Sequence, residues 1–129
     1  MLDDPQPHDI VGVVADLLRD QILPLLSGRP AFEVRVCISA LELVGRQMAL
    51  EPQHTREETA RLAQLLGHAA PADVLNRELC ARIEAGTMTL ATPGLAEHLW
   101  ATVMDKLAID QPGYASYIRE NAAASGGTP

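Results

Sequence analysis

The stretch RPAFEVRVCISALELVGRQMAL, residues 29–50, decides the fold class. Its apolar residues, Phe32, Val34, Val36, Cys37, Ile38, Ala40, Leu41, Leu43, Val44 and Met48, spread around most of a helical circumference and do not alternate. A helix so apolar all round belongs at the centre of a bundle or at an interface, because one wet face would waste the rest. Pro30 suits the first turn, where its missing N–H has no partner to lose, and Glu51-Pro52 is expected to close the helix.

On the N-terminal side, Ile10, Val13, Val14, Leu17, Leu18, Gln21 and Leu25 recur at helical spacing, with Asp9, Asp16, Arg19 and Asp20 opposite. That predicts an amphipathic helix over residues 8–26, bent near Pro24, whose ring crowds the carbonyl of Asp20. On the C-terminal side, Thr55-Arg56-Glu57-Glu58 reads as a capping box opening a short helix that stops at Gly67. Pro71 opens a further helix carrying Leu75, Leu79 and Ile83 inward to Gly86. Thr92-Pro93 reads as cap and first turn of another, with Ala96, Leu99, Trp100, Val103, Met104 and Leu107 on its inner face. A short helical piece follows over residues 115–121.

These elements predict an all-α fold, an antiparallel bundle of five or six helices. The expected organisation is an N-terminal tail over residues 1–8, a single helical domain over 9–121 and a disordered tail over 122–129, where Ser125-Gly126-Gly127 offers nothing to pack. A chain of 129 residues buries about two-thirds of its unfolded surface, so no metal or disulfide is required. Aromatics make up only 3% of residues, which leaves Leu, Ala, Val and Ile to fill the core, as packed helices prefer. Cys37 and Cys80 match no zinc spacing and are expected as buried structural thiols.

A net charge of −7 argues against nucleic acid and anionic membrane surfaces, both of which demand a basic face. The acidic start, Met1-Leu2-Asp3-Asp4-Pro5, lacks the features of a signal peptide, and no apolar run approaches a membrane span, so a cytoplasmic location is expected. No phosphate-cradling loop, dinucleotide fingerprint or nucleophile elbow is present, and His8, His54, His68 and His98 show no metal-ligand spacing. The expectation is therefore a protein that is not an enzyme, with no catalytic residue, metal or cofactor.

Within residues 29–50 the polar residues Arg35, Ser39, Glu42 and Arg46 form one narrow stripe, with Glu42 four residues before Arg46 in the favourable order for a helix ion pair. Two readings are open: a solvent-facing edge, or a seam used by a partner or ligand. A second stripe, His98, Thr102 and Asp105, lies opposite Trp100 and Leu107. A His and an Asp so spaced resemble parts of an acid-base pair, but without a nucleophile the stripe reads as solvated surface.

Several segments, taken in order, resemble a family of small bacterial helical proteins. They are Gly28-Arg29 followed by Phe32-x-x-Arg35-Val36 and Ala40-Leu41; Asn76-Arg77-Glu78-Leu79-Cys80 with Ile83-Glu84-Ala85-Gly86; and Asp105-Lys106-Leu107-Ala108-Ile109-x-x-Pro112. The family often carries Asn where this chain has Ser39. Its members resemble the small companion of an aminoglycoside-phosphotransferase-like kinase, found beside an acyl-CoA dehydrogenase, in breakdown of levulinate-type or other 4-hydroxy acids. The resemblance implies a non-catalytic accessory subunit of a kinase acting on hydroxyacyl-CoA. The residues that would meet the partner are then Arg35, Ser39, Glu42, Arg46, Asp105 and Lys106. The alternatives are a helical binding or regulatory module without a kinase, in the form of a homodimer or other homo-oligomer, and a small enzyme working from the Arg35/Glu42 seam.

Overall fold

A computed structural model describes residues 3–126; Met1, Leu2 and the end of the expected C-terminal tail, residues 127–129, lie outside it. The fold is all-α. Five α-helices follow in order, α1 (Pro7–Leu17), α2 (Gly28–Leu66), α3 (Ala72–Glu84), α4 (Leu95–Asp110) and α5 (Ala115–Ser125), with no strand among the described residues. α5 carries helix four residues past the expected boundary at residue 121.

Gln6 and Asp9 open α1 reciprocally, the Gln6 amide donating to Asp9 Oδ2 at 3.2 Å. After Leu17 the helix widens into a π-helical turn over Leu18–Ile22, where the Leu23 amide reaches back to the Leu18 carbonyl. It then tightens into a 3-10 turn over Leu23–Leu25. Pro24, which can donate nothing, sits in that tightened turn, and Leu26 extends away from it.

α2 departs most from expectation. It runs unbroken for 39 residues with Pro52 inside, so the expected stop at Glu51-Pro52 and the separate helix beginning near Arg56 do not occur. Proline forfeits one helical hydrogen bond, to Met48, and crowds that carbonyl. Helix on either side is held independently: residues before Pro52 pack on α1, and those after it supply Leu62 and Leu66 to a leucine core. The capping-box residues therefore find other partners. Thr55 accepts at its carbonyl from Thr59 Oγ1 at 2.7 Å, and Glu58 accepts from Asn76 Nδ2 at 3.2 Å. The helix ends where expected, at Gly67, whose φ of +83° only glycine adopts without strain.

The chain divides into two compact units at this proline, unit 1 spanning Met1–Glu51 and unit 2 spanning Pro52–Pro129. In unit 2, Leu62 and Leu66 of α2, Leu75 and Leu79 of α3, Met88 from the connecting loop and Leu95 of α4 form one buried cluster. Ile83, expected inward on α3, is exposed. Among the described residues of unit 1, only Ala15, Ala31 and Ile38 are buried. α1 meets α2 through the narrow line of Val11 and Ala15, and the broader apolar face expected to pack inward, Ile10, Val13, Val14, Leu17 and Leu25, is exposed. The thiols of Cys37 and Cys80 are exposed too, contrary to expectation. Cys37 falls on the arc of α2 turned away from α1, and Cys80 follows Leu79, which takes the inward position.

Thr92 does not cap α4; its hydroxyl accepts from the Thr89 amide at 3.0 Å, and the helix begins two residues later behind Gly94. α4 is rotated from expectation, although Met104 and Leu107, expected inward, are half-buried. Leu95 and His98 are buried and Thr102 and Asp105 half-buried, while Leu99, Trp100 and Val103 are exposed. The supposedly solvated polar stripe is the inner face.

Candidate functional site

The polar stripe on α2 in unit 1 forms as the spacing required. Arg35 and Ser39 are exposed, Glu42 is exposed on the side nearer α1, and Arg46 is half-buried. Glu42 pairs across to Arg19, whose other arm donates to Asp16 Oδ1 at 2.7 Å. The Asp16 hydrogen bond first, and then the charges of Glu42, Asp16 and Asp20, hold the Arg19 guanidinium above its ordinary range despite some desolvation. Glu42, Arg46, Asp16, Arg19 and His8 share the wall of an open cleft of about 440 Å³. Beside the stripe, Phe32, Val36 and Leu43 form an exposed apolar line on α2, with Phe32 63% exposed, and Val44 and Met48 are exposed on a different arc.

Asp105 and Lys106 belong to unit 2. Lys106 is exposed, whereas Asp105 is half-buried and accepts from Arg61 Nη2 at 2.9 Å, with His54 Nε2 3.8 Å away. These contacts belong to a polar cluster that sequence spacing did not reveal. α2 contributes His54, Glu58 and Arg61, α3 contributes Asn76, and α4 contributes His98 and Asp105. Only the periodicity of His98, Thr102 and Asp105 hinted at it.

His98 is 4% exposed, and the Thr102 hydroxyl donates to its carbonyl at 3.0 Å. Burial pushes its imidazole below the ordinary histidine range, and the neighbouring Arg61 charge adds to this, with Glu58 opposing. Three buried nitrogens of the cluster, His54 Nδ1, Arg61 Nε and His98 Nδ1, have no hydrogen-bond partner among the described residues. A cavity of about 560 Å³ opens nearby, with Arg61, Gln64 and Leu65 of α2 on one wall and Pro93, Gly94, Glu97, His98 and Ala101 at the start of α4 on the other.

The family profile described as a domain of unknown function, DUF6285, matches residues 24–114. The chain belongs to the DUF6285 family. No curated protein and no solved structure matches it. The DUF6285 span contains the α2 stripe, Asp105, Lys106 and every residue lining the cavity of unit 2, while α1 precedes it. Among the described residues, no three His, Cys, Asp or Glu side chains are placed to hold a metal ion. No helix among them is long and apolar enough to cross a membrane.

Proposed function

We propose that this DUF6285 protein is a non-catalytic accessory subunit of an aminoglycoside-phosphotransferase-like kinase acting on hydroxyacyl-CoA in 4-hydroxy acid breakdown. The kind of partner rests on the family resemblance carried by residues 28–41, 76–86 and 105–112. The observation that supports docking is the apolar surface of unit 1. Val13, Leu17 and Leu25 on the α1 side and Phe32, Val36 and Leu43 on α2 stand exposed, in a unit whose described residues bury only three apolar side chains. Exposed apolar side chains rimmed by polar groups are the usual mark of a protein interface, with an aromatic side chain such as Phe32 as an anchor on α2. The Arg35, Ser39, Glu42 and Arg46 stripe supplies the rim on α2.

Co-expression with a kinase of this class, followed by size-exclusion chromatography and a phosphorylation assay, tests the reading. The expected result is a hetero-complex in which the kinase is active and the DUF6285 chain alone consumes no ATP. Turnover by the chain alone overturns the non-catalytic role. A chain that elutes as its own dimer and ignores the kinase assigns the apolar surface to a second copy instead.

A further inference from the structure

We propose that the outer face of α2 in unit 1 pairs with the same face of a second copy of this chain, the two helices running antiparallel about Ala40. α1 lies on one side of α2, where Ala31 and Ile38 are buried and Gly45 meets Val11. The opposite side stands exposed, with Val36 and Leu43 on one flank, Cys37 and Val44 on the other, and Ala40 between them. Steps of three and four residues continue this band to Glu33 and Arg29 in one direction and to Gln47 and Glu51 in the other.

The order of residues along the band identifies the occupant. Outward from Ala40 the same kinds recur in both directions: apolar at Val36 and Leu43, polar at Glu33 and Gln47, and opposite charges at Arg29 and Glu51. A two-fold axis at Ala40 therefore sets Val36 against Leu43 of the second copy, Cys37 against Val44, Glu33 against Gln47 and Arg29 against Glu51, each contact made twice. The small side chain at the axis lets the two helices approach closely. Parallel pairing of the same face would set Arg29 on Arg29, Glu33 on Glu33 and Glu51 on Glu51, so charge selects the antiparallel arrangement. Arg29 lies in the first turn of α2, where a cation opposes the helix dipole, and its side chain is 88% exposed in its pair with Glu33. An exposed pair of that kind holds it weakly, which leaves the guanidinium available to a carboxylate from the second copy.

Val36 and Leu43 also belong to the apolar surface proposed for the kinase. On that reading a docked kinase displaces the second copy, whereas the dimer itself does not rest on it.

Sedimentation velocity of the full-length chain alone, over a series of concentrations, tests the pairing. The expected result is a reversible monomer–dimer equilibrium. A40E places two carboxylates at the axis and should abolish the dimer, and because Ala40, Arg29 and Glu51 are exposed, far-UV circular dichroism of the variants should match that of the parent. R29E and E51R should each weaken the dimer about tenfold, since each exchanges two attractions for two repulsions. R29E/E51R together should restore it. The two positions are about 33 Å apart along one helix, so that recovery can arise only between copies. A chain still monomeric at about 0.5 mM, where a Kd of about 0.1 mM already makes most of it dimer, overturns the proposal and leaves the kinase reading standing. So does a dimer indifferent to A40E, or one weakened by R29E and by E51R without recovery in the double variant.

Discussion

Unit 1 and unit 2 draw on similar amphipathic material and use it differently. Unit 2 brings Leu62, Leu66, Leu75, Leu79, Met88 and Leu95 together from three helices and a loop, so each apolar stripe meets two others. Unit 1 has one helical neighbour for α2, and a pair of helices can enclose only the strip between them. Ala15, Ala31 and Ile38 fill that strip, and Val13, Phe32 and Val36 are left outside. Sequence patterning is as strong in unit 1 as in unit 2, yet burial follows the number of packing partners. The apolar faces of unit 1 are thus surface that unit 1 by itself leaves uncovered.

The comparison makes graded predictions. Leu62 and Leu75 are fully buried, so Leu75→Ala should cost about 2–5 kcal/mol through lost contacts and the cavity left behind. Phe32→Ala, despite removing a larger side chain, should change the stability of the isolated protein by no more than about 0.5 kcal/mol. Chemical denaturation of both variants measures the contrast, and equal losses would break it.

A second contrast concerns ion pairs. In unit 2, Asp105→Asn removes the charge facing a half-buried Arg61 and should cost about 1–3 kcal/mol. In unit 1, Arg35→Ala alters an exposed position and should cost about 0.5 kcal/mol or less, while weakening a kinase complex by about 1–3 kcal/mol if the stripe is its rim. Thermal unfolding paired with a binding titration separates the two effects. Unchanged kinase binding by Arg35→Ala would remove the stripe from the interface.

The pH dependence sharpens the comparison from another side. His98 in unit 2 has its native pKa depressed by burial, so below its ordinary value of 6.5 the unfolded chain takes up the proton more readily than the native one. Its contribution is fully present above that value and is lost as pH falls through the native pKa. Glu78, held low by its hydrogen bond with His68 and aided by Arg82, adds a contribution present above its ordinary value of 4.5 and lost at lower pH. Stability should therefore decline from pH 7 toward pH 5, and His98→Gln should flatten the first part of that decline. A slope unchanged in His98→Gln would show that other groups set it.

Local signals determined much of the fold. The 3.6-residue period, the scarcity of aromatics and stops such as Gly67 and Gly86 are properties of short segments, and they specify helices and several of their ends without reference to anything distant. The α2 stripe of Arg35, Ser39, Glu42 and Arg46 is of the same kind, because helical spacing alone aligns those side chains. Tertiary structure decided the rest. Pro52 lies within α2 because packing on each side outweighs one lost hydrogen bond. α4 turns His98 and Asp105 inward and Trp100 outward because Arg61 on α2 supplies the partner that a half-buried carboxylate requires. Arg61 and Asp105 are far apart in the chain and share no local pattern, so their meeting, and the cavity beside them, exists only once α2 and α4 are packed within unit 2.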